Sequence, residues 1–285
     1  MHEVSLIIAT LGERKDDLRA LLTSLVPQAE HICEVILVDQ HPDPNHVPGL
    51  TSEFKRHLPI CVTRSARGLS RARNKGLALV TGALVAFPDD DCLYPDGLLQ
   101  WVVQWFESNT EYGILAVGAN DAFGAQSGNR WPQDHCDIYP INAFRTTFSP
   151  SLFLRTSVAL HQQFDVRLGV GSGTRFGSGE ETDYILRLIR SGMRARFNRS
   201  RHIIHPRRDM LSGDISVSRA ESYGFGMGHL LRMHTLRILW LSFVAYDLVR
   251  AGLALCRRRL DGARLCIAHA NGLWRGYSSP IEDIS

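Results

Sequence analysis

The chain has 285 residues, of which 44 % are hydrophobic and 21 % are charged. These proportions are typical of globular proteins, so they exclude the disordered, collagen-like and fibrous classes. The six cysteines lie far apart and lack the paired spacing of a zinc site, which indicates separate reduced thiols. Because the first residues do not resemble a secretory signal, we expect a cytoplasmic protein.

The net charge of +3 conceals two parts of opposite sign. Acidic residues are in excess over the first 185 residues, whereas residues 186–285 contain 17 arginines and 7 acidic residues. A basic C-terminal part favours an anionic partner, such as lipid, nucleic acid or a phosphorylated carrier. The alternative is an arginine-favouring genome, because the chain contains only three lysines.

Apolar runs alternate with segments of helical periodicity in the first part of the chain. The runs have the continuous hydrophobicity of parallel strands that are buried on both faces. Strands are predicted at residues 4–9, 34–38, 60–63, 83–87 and 113–117, and helices near residues 18–25, 50–56, 70–80 and 101–106. This alternation predicts an α/β fold with a mostly parallel sheet flanked by helices.

The alternation is looser in the second part of the chain. The predicted elements are a long surface connection (118–145), a strand (148–154), a helix (156–163), a helix (180–190) and two short strands (near 196–198 and 202–205). Only helices are predicted from about residue 216 onwards. We therefore expect a first domain of residues 1–210 and a C-terminal helical region of residues 211–285.

Three adjacent carboxylates, Asp89, Asp90 and Asp91, follow the fourth predicted strand. Ligands of open α/β sheets bind at the edge formed by the C-terminal ends of the strands. Carboxylate oxygens are hard ligands that suit Mg²⁺ or Mn²⁺, which proteins often share with substrate phosphates. The alternative is a solvated loop or a helix cap.

Five segments resemble, in the same order, the motifs of family 2 glycosyltransferases, which are nucleotide-sugar enzymes with the GT-A fold. They are residues 5–10 (SLIIAT), 35–39 (VILVD), 68–76 (GLSRARNKG), 87–98 (FPDDDCLYPDGL) and 179–183 (GEETD). In addition, His205 is at the position of a late histidine that many members have. The resemblance implies a GT-A, Rossmann-like sheet over about residues 4–205, followed by a helical extension.

The resemblance implies specific ligands for the donor. Nucleotide-sugar-binding residues are expected at Thr10, Asp39, Arg73, Asn74, Asp89 and Asp90. Asp89, Asp91 and His205 are expected to hold Mg²⁺ or Mn²⁺. The motif permits either Asp89 with Asp91 or Asp90 with Asp91, and Asp91 is common to both registers. Family members often have an acidic residue or Asn directly after this Asp, whereas this chain has Gln40, which leaves the base of the nucleotide open.

The acidic motif departs from the family pattern, in which Asp follows Glu and acts as the base. Here Glu181 is at the base position and Glu180 precedes it. The resemblance implies that Glu181 deprotonates the acceptor hydroxyl in a single displacement with inversion. The alternative is that both residues only favour the positive N-terminus of the following helix.

The expected function is transfer of a hexose from a nucleoside diphosphate sugar, with UDP-sugars favoured. The acceptor is expected to be a hydroxyl of a glycan or a lipid-linked molecule in surface polysaccharide synthesis, and no nucleic acid is expected. One alternative is a sugar nucleotidyltransferase, although residues 10–15 (TLGERK) lack a glycine-rich phosphate loop. The other is a non-catalytic scaffold that binds membrane or nucleic acid.

Residues 236–256 are almost wholly apolar, but Arg237, Asp247 and Arg250 interrupt them. Because each central charge costs ~2.5–3.5 kcal/mol on insertion, we do not expect a conventional spanning helix. The helix is expected to be buried, oligomer-facing or membrane-bound. Basic and aromatic residues favour contact of residues 232–259 with an anionic membrane surface, on the inner face of the cell membrane. Alternate glycines at 224, 226 and 228 indicate a tight turn or close helix packing.

Overall fold

The computed structural model describes residues 3–128, 130–207 and 216–280. The chain divides into two compact units. The first comprises Met1–Arg67, Arg71–Phe164 and Tyr184–Arg207, and the second comprises Gly68–Ser70, Asp165–Asp183 and Arg208–Ser285. The predicted boundary between residues 210 and 211 lies outside the described residues. The second unit includes Asp165–Asp183, which the sequence analysis placed in the first domain.

The described part of the first unit contains one eight-stranded sheet. Its strands are β1 (Val4–Thr10), β2 (Ile32–Asp39), β3 (Ile60–Arg64), β4 (Leu84–Ala86), β5 (Ile114–Asn120), β6 (Cys136–Asp137), β7 (Leu152–Arg155) and β8 (Ala195–Ile204). The strand order is β3-β2-β1-β4-β7-β5-β8-β6. The pairs β1–β2, β2–β3, β1–β4 and β5–β8 are parallel, whereas the pairs that include β6 or β7 are antiparallel.

Helices connect the strands and follow the last strand. They are α1 (Lys15–Leu25), α2 (His46–Thr51), α3 (Leu69–Leu77), α4 (Leu98–Ser108), α5 (Ala143–Thr146), α6 (Thr156–Ala159), α7 (Glu180–Arg190), α8 (Val217–Met233), α9 (Arg237–Cys256) and α10 (Leu260–Ser278). Residues 26–31 and 52–56 form 3₁₀ turns.

Burial explains why the sequence pattern predicts these elements. The apolar residues of β1 and β2 are almost completely buried, as expected for strands covered on both faces. The four leucines of α1 that recur at helical spacing are buried as well. The predicted α/β fold with a mostly parallel sheet is therefore confirmed, and α7 has the predicted bounds.

The sheet includes β6, which lies within the predicted surface connection, and it shows the direction of β7, which the sequence pattern leaves open. β7 lies between β4 and β5 and runs antiparallel to both. The connection from β5 to β7 therefore begins and ends on the side of the sheet where β5 ends, and it needs no crossover. The two short strands predicted near 196–198 and 202–205 are one strand, β8. Its register with β5 shifts between Val117 and Gly118, and residues 199–201 are left out of the pairing. Residues 199–201 form a bulge, and because they are polar they interrupt the apolar pattern of the strand.

Close helix packing is present in the second unit, where α8 and α10 cross along four glycines. They are Gly224 and Gly228 of α8 and Gly272 and Gly276 of α10. An added Cβ at Gly224 would overlap the carbonyl oxygen of His269, and one at Gly276 would overlap that of Phe225. The two backbones therefore touch, which confirms close packing and not a tight turn.

Among the described residues, α9 is the one helix long and apolar enough to cross a membrane, with a mean hydropathy of 1.6. Only 22 % of the most apolar 18-residue stretch of α9 is buried. Its inner face consists of Trp240, Asp247, Ala251 and Ala254. Asp247 is paired with His269 of α10 at 2.5 Å, so its charge is turned away from the outer face.

We expect Gly272→Ala to lower the melting temperature by several degrees, because the new Cβ would overlap the carbonyl oxygen of Glu221. Overpacking of this kind typically costs ~1–3 kcal/mol. The matched control is Gly252→Ala in α9, where an added Cβ meets nothing within 4 Å. Thermal unfolding followed by circular dichroism checks the prediction, and an unchanged melting temperature for Gly272→Ala would contradict it.

Candidate active site

The three adjacent carboxylates lie in the loop after β4, and this loop pairs with the end of β8. Leu93 and Ile204 exchange two backbone hydrogen bonds of 2.8 and 2.9 Å in an isolated antiparallel bridge. In the sheet, β4 and β8 are separated by β7 and β5. The bridge therefore brings Asp91 and His205 together although their strands are not neighbours.

His205 is nearly buried and is held in one orientation. Its Nδ1 donates a hydrogen bond of 2.8 Å to the carbonyl oxygen of Pro206, and the Phe148 ring contacts its ring edge to face. Because a carbonyl oxygen only accepts, Nδ1 carries a proton, and in a neutral imidazole this arrangement leaves the lone pair on Nε2. Nε2 lies 3.5 Å from Oδ1 of Asp91. Metal-binding histidines are commonly oriented by such a second hydrogen bond.

Asp89, Asp91 and His205 form a cluster of three donors. One ligand atom from each residue lies within 4.8 Å of the others. Two carboxylates and an imidazole are suitable donors for Mn²⁺, and carboxylates are the usual protein ligands of Mg²⁺. The three residues that the sequence analysis predicted as metal ligands therefore fit a divalent cation.

Arg14 is a member of the site that the sequence analysis missed. It contacts Asp91 and lies 2.5 Å from Asp90, whose other oxygen accepts a hydrogen bond of 2.6 Å from Thr10 Oγ1. Burial raises the pKa of Asp90 to about 6, although Arg14 and the Thr10 hydroxyl oppose the rise. The sequence feature that could have indicated this role is the position of Arg14 shortly after β1, at the sheet edge where the carboxylates were expected.

Arg73 and Asn74 are both anchored to the protein. The Arg73 guanidinium is only 2 % exposed and lies 3.3 Å from Asp89 and 5.4 Å from the ring centroid of Phe164. Asn74 donates to the Phe164 carbonyl and accepts from the Phe164 amide, both at 2.8 Å. Arg73 thus joins the carboxylate cluster through Asp89. Contact of Asn74 with a nucleotide stays a prediction.

Asp39 ends β2 with a fully buried side chain. Its Oδ1 accepts a hydrogen bond of 2.7 Å from the backbone N–H of His41. Its Oδ2 is also buried but accepts no hydrogen bond from the residues that the structure describes, and an Arg64 nitrogen lies 3.9 Å away. Because buried polar atoms are almost always hydrogen-bonded, Oδ2 is suited to a donor on a ligand.

The acidic pair Glu180 and Glu181 belongs to the second unit, where it begins α7. Gly179 precedes the pair with a φ of +95°, a left-handed conformation that favours glycine. Glu180 is buried, and an added Cβ at Gly169 would lie 2.8 Å from its carboxyl carbon. Glu181 is partly exposed. Of the two carboxylates, Glu181 has the better access for an acceptor.

The predicted site residues are thus distributed over both units. Six of those in the first unit lie together around the loop after β4, with Arg14 joining Asp90 to Asp91: Thr10, Arg73, Asp89, Asp90, Asp91 and His205. Asp39 and Asn74 are also in the first unit, at the end of β2 and in α3.

The model of glycosyl transferase family 2 matches residues 5–178, more than half of the chain. The chain belongs to this family. An uncharacterized glycosyltransferase of Haemophilus influenzae is 27 % identical over 191 residues, which are 64 % of this chain and 61 % of the relative. The match therefore spans less than two thirds of that relative's length.

Solved structures of TarS from S. aureus share the fold. TarS 1-349 has a TM-score of 0.59 at 14 % identity, covering 95 % of this chain and 92 % of that chain. TarS 1-349 in complex with UDP-GlcNAc has a TM-score of 0.60 at 14 % identity with the same coverage. These likenesses confirm the predicted GT-A fold of this family 2 member.

We expect Asp91→Asn to weaken Mn²⁺ binding by at least about 10-fold. Loss of a residue that only hydrogen-bonds to a metal ligand already has an effect of about this size, and Asp91→Asn removes the charge of a ligand itself. The control is Asp96→Asn, which changes an exposed carboxylate a few residues further along the chain. Titration with Mn²⁺ followed by electron paramagnetic resonance measures both variants. Equal affinity of wild type and Asp91→Asn would exclude Asp91 as a metal ligand.

Proposed function

We propose that this family 2 member transfers a hexose, with inversion, from a nucleoside diphosphate sugar to a hydroxyl group. The observation that carries the proposal is the cluster of Asp89, Asp91 and His205, in which His205 Nε2 lies 3.5 Å from Asp91. Mg²⁺ or Mn²⁺ bound there would offset the charge that develops on the diphosphate leaving group. Arg14 and Arg73 add positive charge beside the same carboxylates.

Asp39 supports recognition of the nucleotide base. Its buried Oδ2 would accept a hydrogen bond from a base N–H, and the imide N–H of uracil is such a donor. The fold neighbour TarS is described in complex with UDP-GlcNAc, which favours a UDP-sugar as the donor here. Guanine also carries a suitable N–H, so a comparison of UDP with GDP tests this choice.

Glu181 is the proposed general base. Its carboxylate takes the proton of the acceptor hydroxyl while the hydroxyl oxygen attacks the anomeric carbon of the sugar. The bond from that carbon to the diphosphate oxygen breaks with its electron pair on the diphosphate. No covalent intermediate forms. The proposed acceptor is a glycan or a lipid-linked molecule of surface polysaccharide synthesis.

We expect Glu181→Gln to lower kcat by about 100-fold or more, because general-base catalysis typically contributes ~10²–10⁴. The amide keeps the size of the side chain, so binding of UDP with Mn²⁺ should be unchanged. Calorimetric titration measures the binding, and release of UDP from a panel of UDP-sugars with acceptor measures kcat. If the protein were a nucleotidyltransferase, the wild type would instead form nucleotide sugar. If it were a scaffold, the wild type would show no turnover.

We also propose that the protein works in the cytoplasm at the inner face of the cell membrane, which α9 contacts. The outer face of α9 is apolar and strongly exposed. It consists of Ile238, Leu241, Leu248, Val249, Leu253 and Leu255. At 1.5 Å per residue this face is ~26 Å long. Soluble monomers rarely leave such an apolar surface to water.

Charge favours an anionic membrane over a second copy of the chain as the partner of α9. Exposed arginines flank the apolar face, with Arg237 at one end and Arg257, Arg258 and Arg259 at the other. Parallel or antiparallel pairing of two α9 helices would bring arginines against arginines. Anionic headgroups instead attract them, by about 1 kcal/mol for each basic residue near the surface.

We expect the protein to float with vesicles of phosphatidylglycerol and phosphatidylcholine, and to bind less at high salt. Ile238→Glu should weaken this binding, because Ile238 is 86 % exposed on the apolar face. The matched control is Ile141→Glu, at an isoleucine of the first unit that is 72 % exposed. Equal flotation of both variants, or a concentration-dependent dimer that Ile238→Glu abolishes, would contradict the proposed membrane contact.

A further inference from the structure

One face of α8 lies along the segment that leads into the acidic pair. Four residues of α8, each four positions apart, form this face: Ser222, Gly226, Leu230 and His234, the last being the residue that caps the helix. Residues at this spacing lie above one another on a helix. We call them the α8 brace. The segment that they contact is residues 177–183, and all these residues belong to the second unit.

The first half of the brace contacts the backbone before the acidic pair. The amide of Gly177 donates to the carbonyl oxygen of Ser222 at 3.3 Å, and the Ser178 hydroxyl donates to the carbonyl oxygen of Tyr223 at 2.8 Å. An added Cβ at Gly226 would lie 2.5 Å from the carbonyl oxygen of Ser178 and 2.9 Å from its nitrogen. Only glycine therefore permits this approach of the helix to residue 178.

The second half of the brace contacts residues on both sides of the acidic pair. Leu230 packs against Gly179, where an added Cβ would lie 3.0 Å from the Leu230 side chain. His234 Nε2 donates a hydrogen bond of 2.9 Å to Oδ1 of Asp183, and both side chains are buried. Gly179 and Asp183 are joined in turn by a backbone hydrogen bond of 2.8 Å. Glu180 and Glu181 lie within this fixed turn.

We propose that the α8 brace positions the Glu181 carboxylate for proton transfer, so that Gly226 and His234 are positioning residues of the transfer reaction. The inference rests on the proposed role of Glu181 as the base. The brace touches the backbone before the pair and a side chain after it, so it fixes both ends of the first turn of α7. A displacement of about 1 Å at a reacting group can lower the rate by about 10²-fold.

The first experiment compares Gly226→Ala with Gly252→Ala in the full chain. Both replace a helical glycine by alanine, so both change helix propensity in the same way. The Cβ at 226 must displace the backbone of Ser178, whereas the one at 252 meets nothing within 4 Å. We expect kcat to fall about 10- to 100-fold in Gly226→Ala and to stay at the wild-type value in Gly252→Ala. UDP–Mn²⁺ affinity should be unchanged in both.

A second pair of variants covers the case in which Gly226→Ala does not fold. His234→Leu removes the donor to Asp183, whereas His234→Gln supplies an amide N–H in its place. We expect kcat to fall in His234→Leu and to recover at least in part in His234→Gln. Melting temperatures are measured for all variants. A role in stability alone would lower the melting temperature without lowering kcat selectively, whereas a positioning role lowers kcat and leaves nucleotide affinity unchanged.

The outcomes distinguish failure of the inference from failure of the proposed function. If Glu181→Gln keeps the wild-type kcat, Glu181 is not the base and the proposed function is wrong in that respect. If Glu181→Gln loses activity while folded Gly226→Ala and His234→Leu keep the wild-type kcat, only the positioning role is overturned. Loss of kcat together with an equal loss of UDP affinity would also overturn it.

Discussion

Two backbone hydrogen bonds between Leu93 and Ile204 determine the geometry of the candidate metal site. The sheet by itself keeps its carboxylate and histidine ligands apart, because two strands lie between β4 and β8. The loop after β4 closes this gap by pairing with the last residue of β8. His205 follows that residue directly, so its ring is presented to Asp91 by the backbone, and the Pro206 carbonyl then selects its tautomer.

The electrostatics of this loop favour a cation in addition to the arginines. Asp89, Asp90 and Asp91 are three consecutive carboxylates, and the guanidinium groups of Arg14 and Arg73 lie beside them. Asp90 responds to burial by a raised pKa, whereas Asp89 and Asp91 share the three-donor cluster with His205. A divalent ion at this cluster would supply positive charge where like charges otherwise repel each other.

Local patterns predicted much of this molecule, and long-range contacts account for what they missed. α7 was predicted with its observed bounds because its apolar periodicity and the following Gly192 are local signals. The order of the motifs predicted the residues of the carboxylate–histidine cluster. Arg14 was missed because its partner Asp91 lies 77 residues further along the chain. The antiparallel direction of β7 could not be predicted because an apolar run carries no information about strand direction.

The alternate glycines of α8 illustrate how one short pattern can serve two packing contacts. Residues four apart lie on one side of a helix, and a residue midway between them lies on the opposite side. Gly224 and Gly228 permit contact with the backbone of α10, whereas Gly226 permits contact with the backbone of Ser178. Each glycine lowers helix stability by ~1 kcal/mol relative to alanine, so the three together give up about 3 kcal/mol. Packing on both sides of α8, against α10 and against Ser178, offsets this loss, and α8 and Asp165–Asp183 belong to the same compact unit.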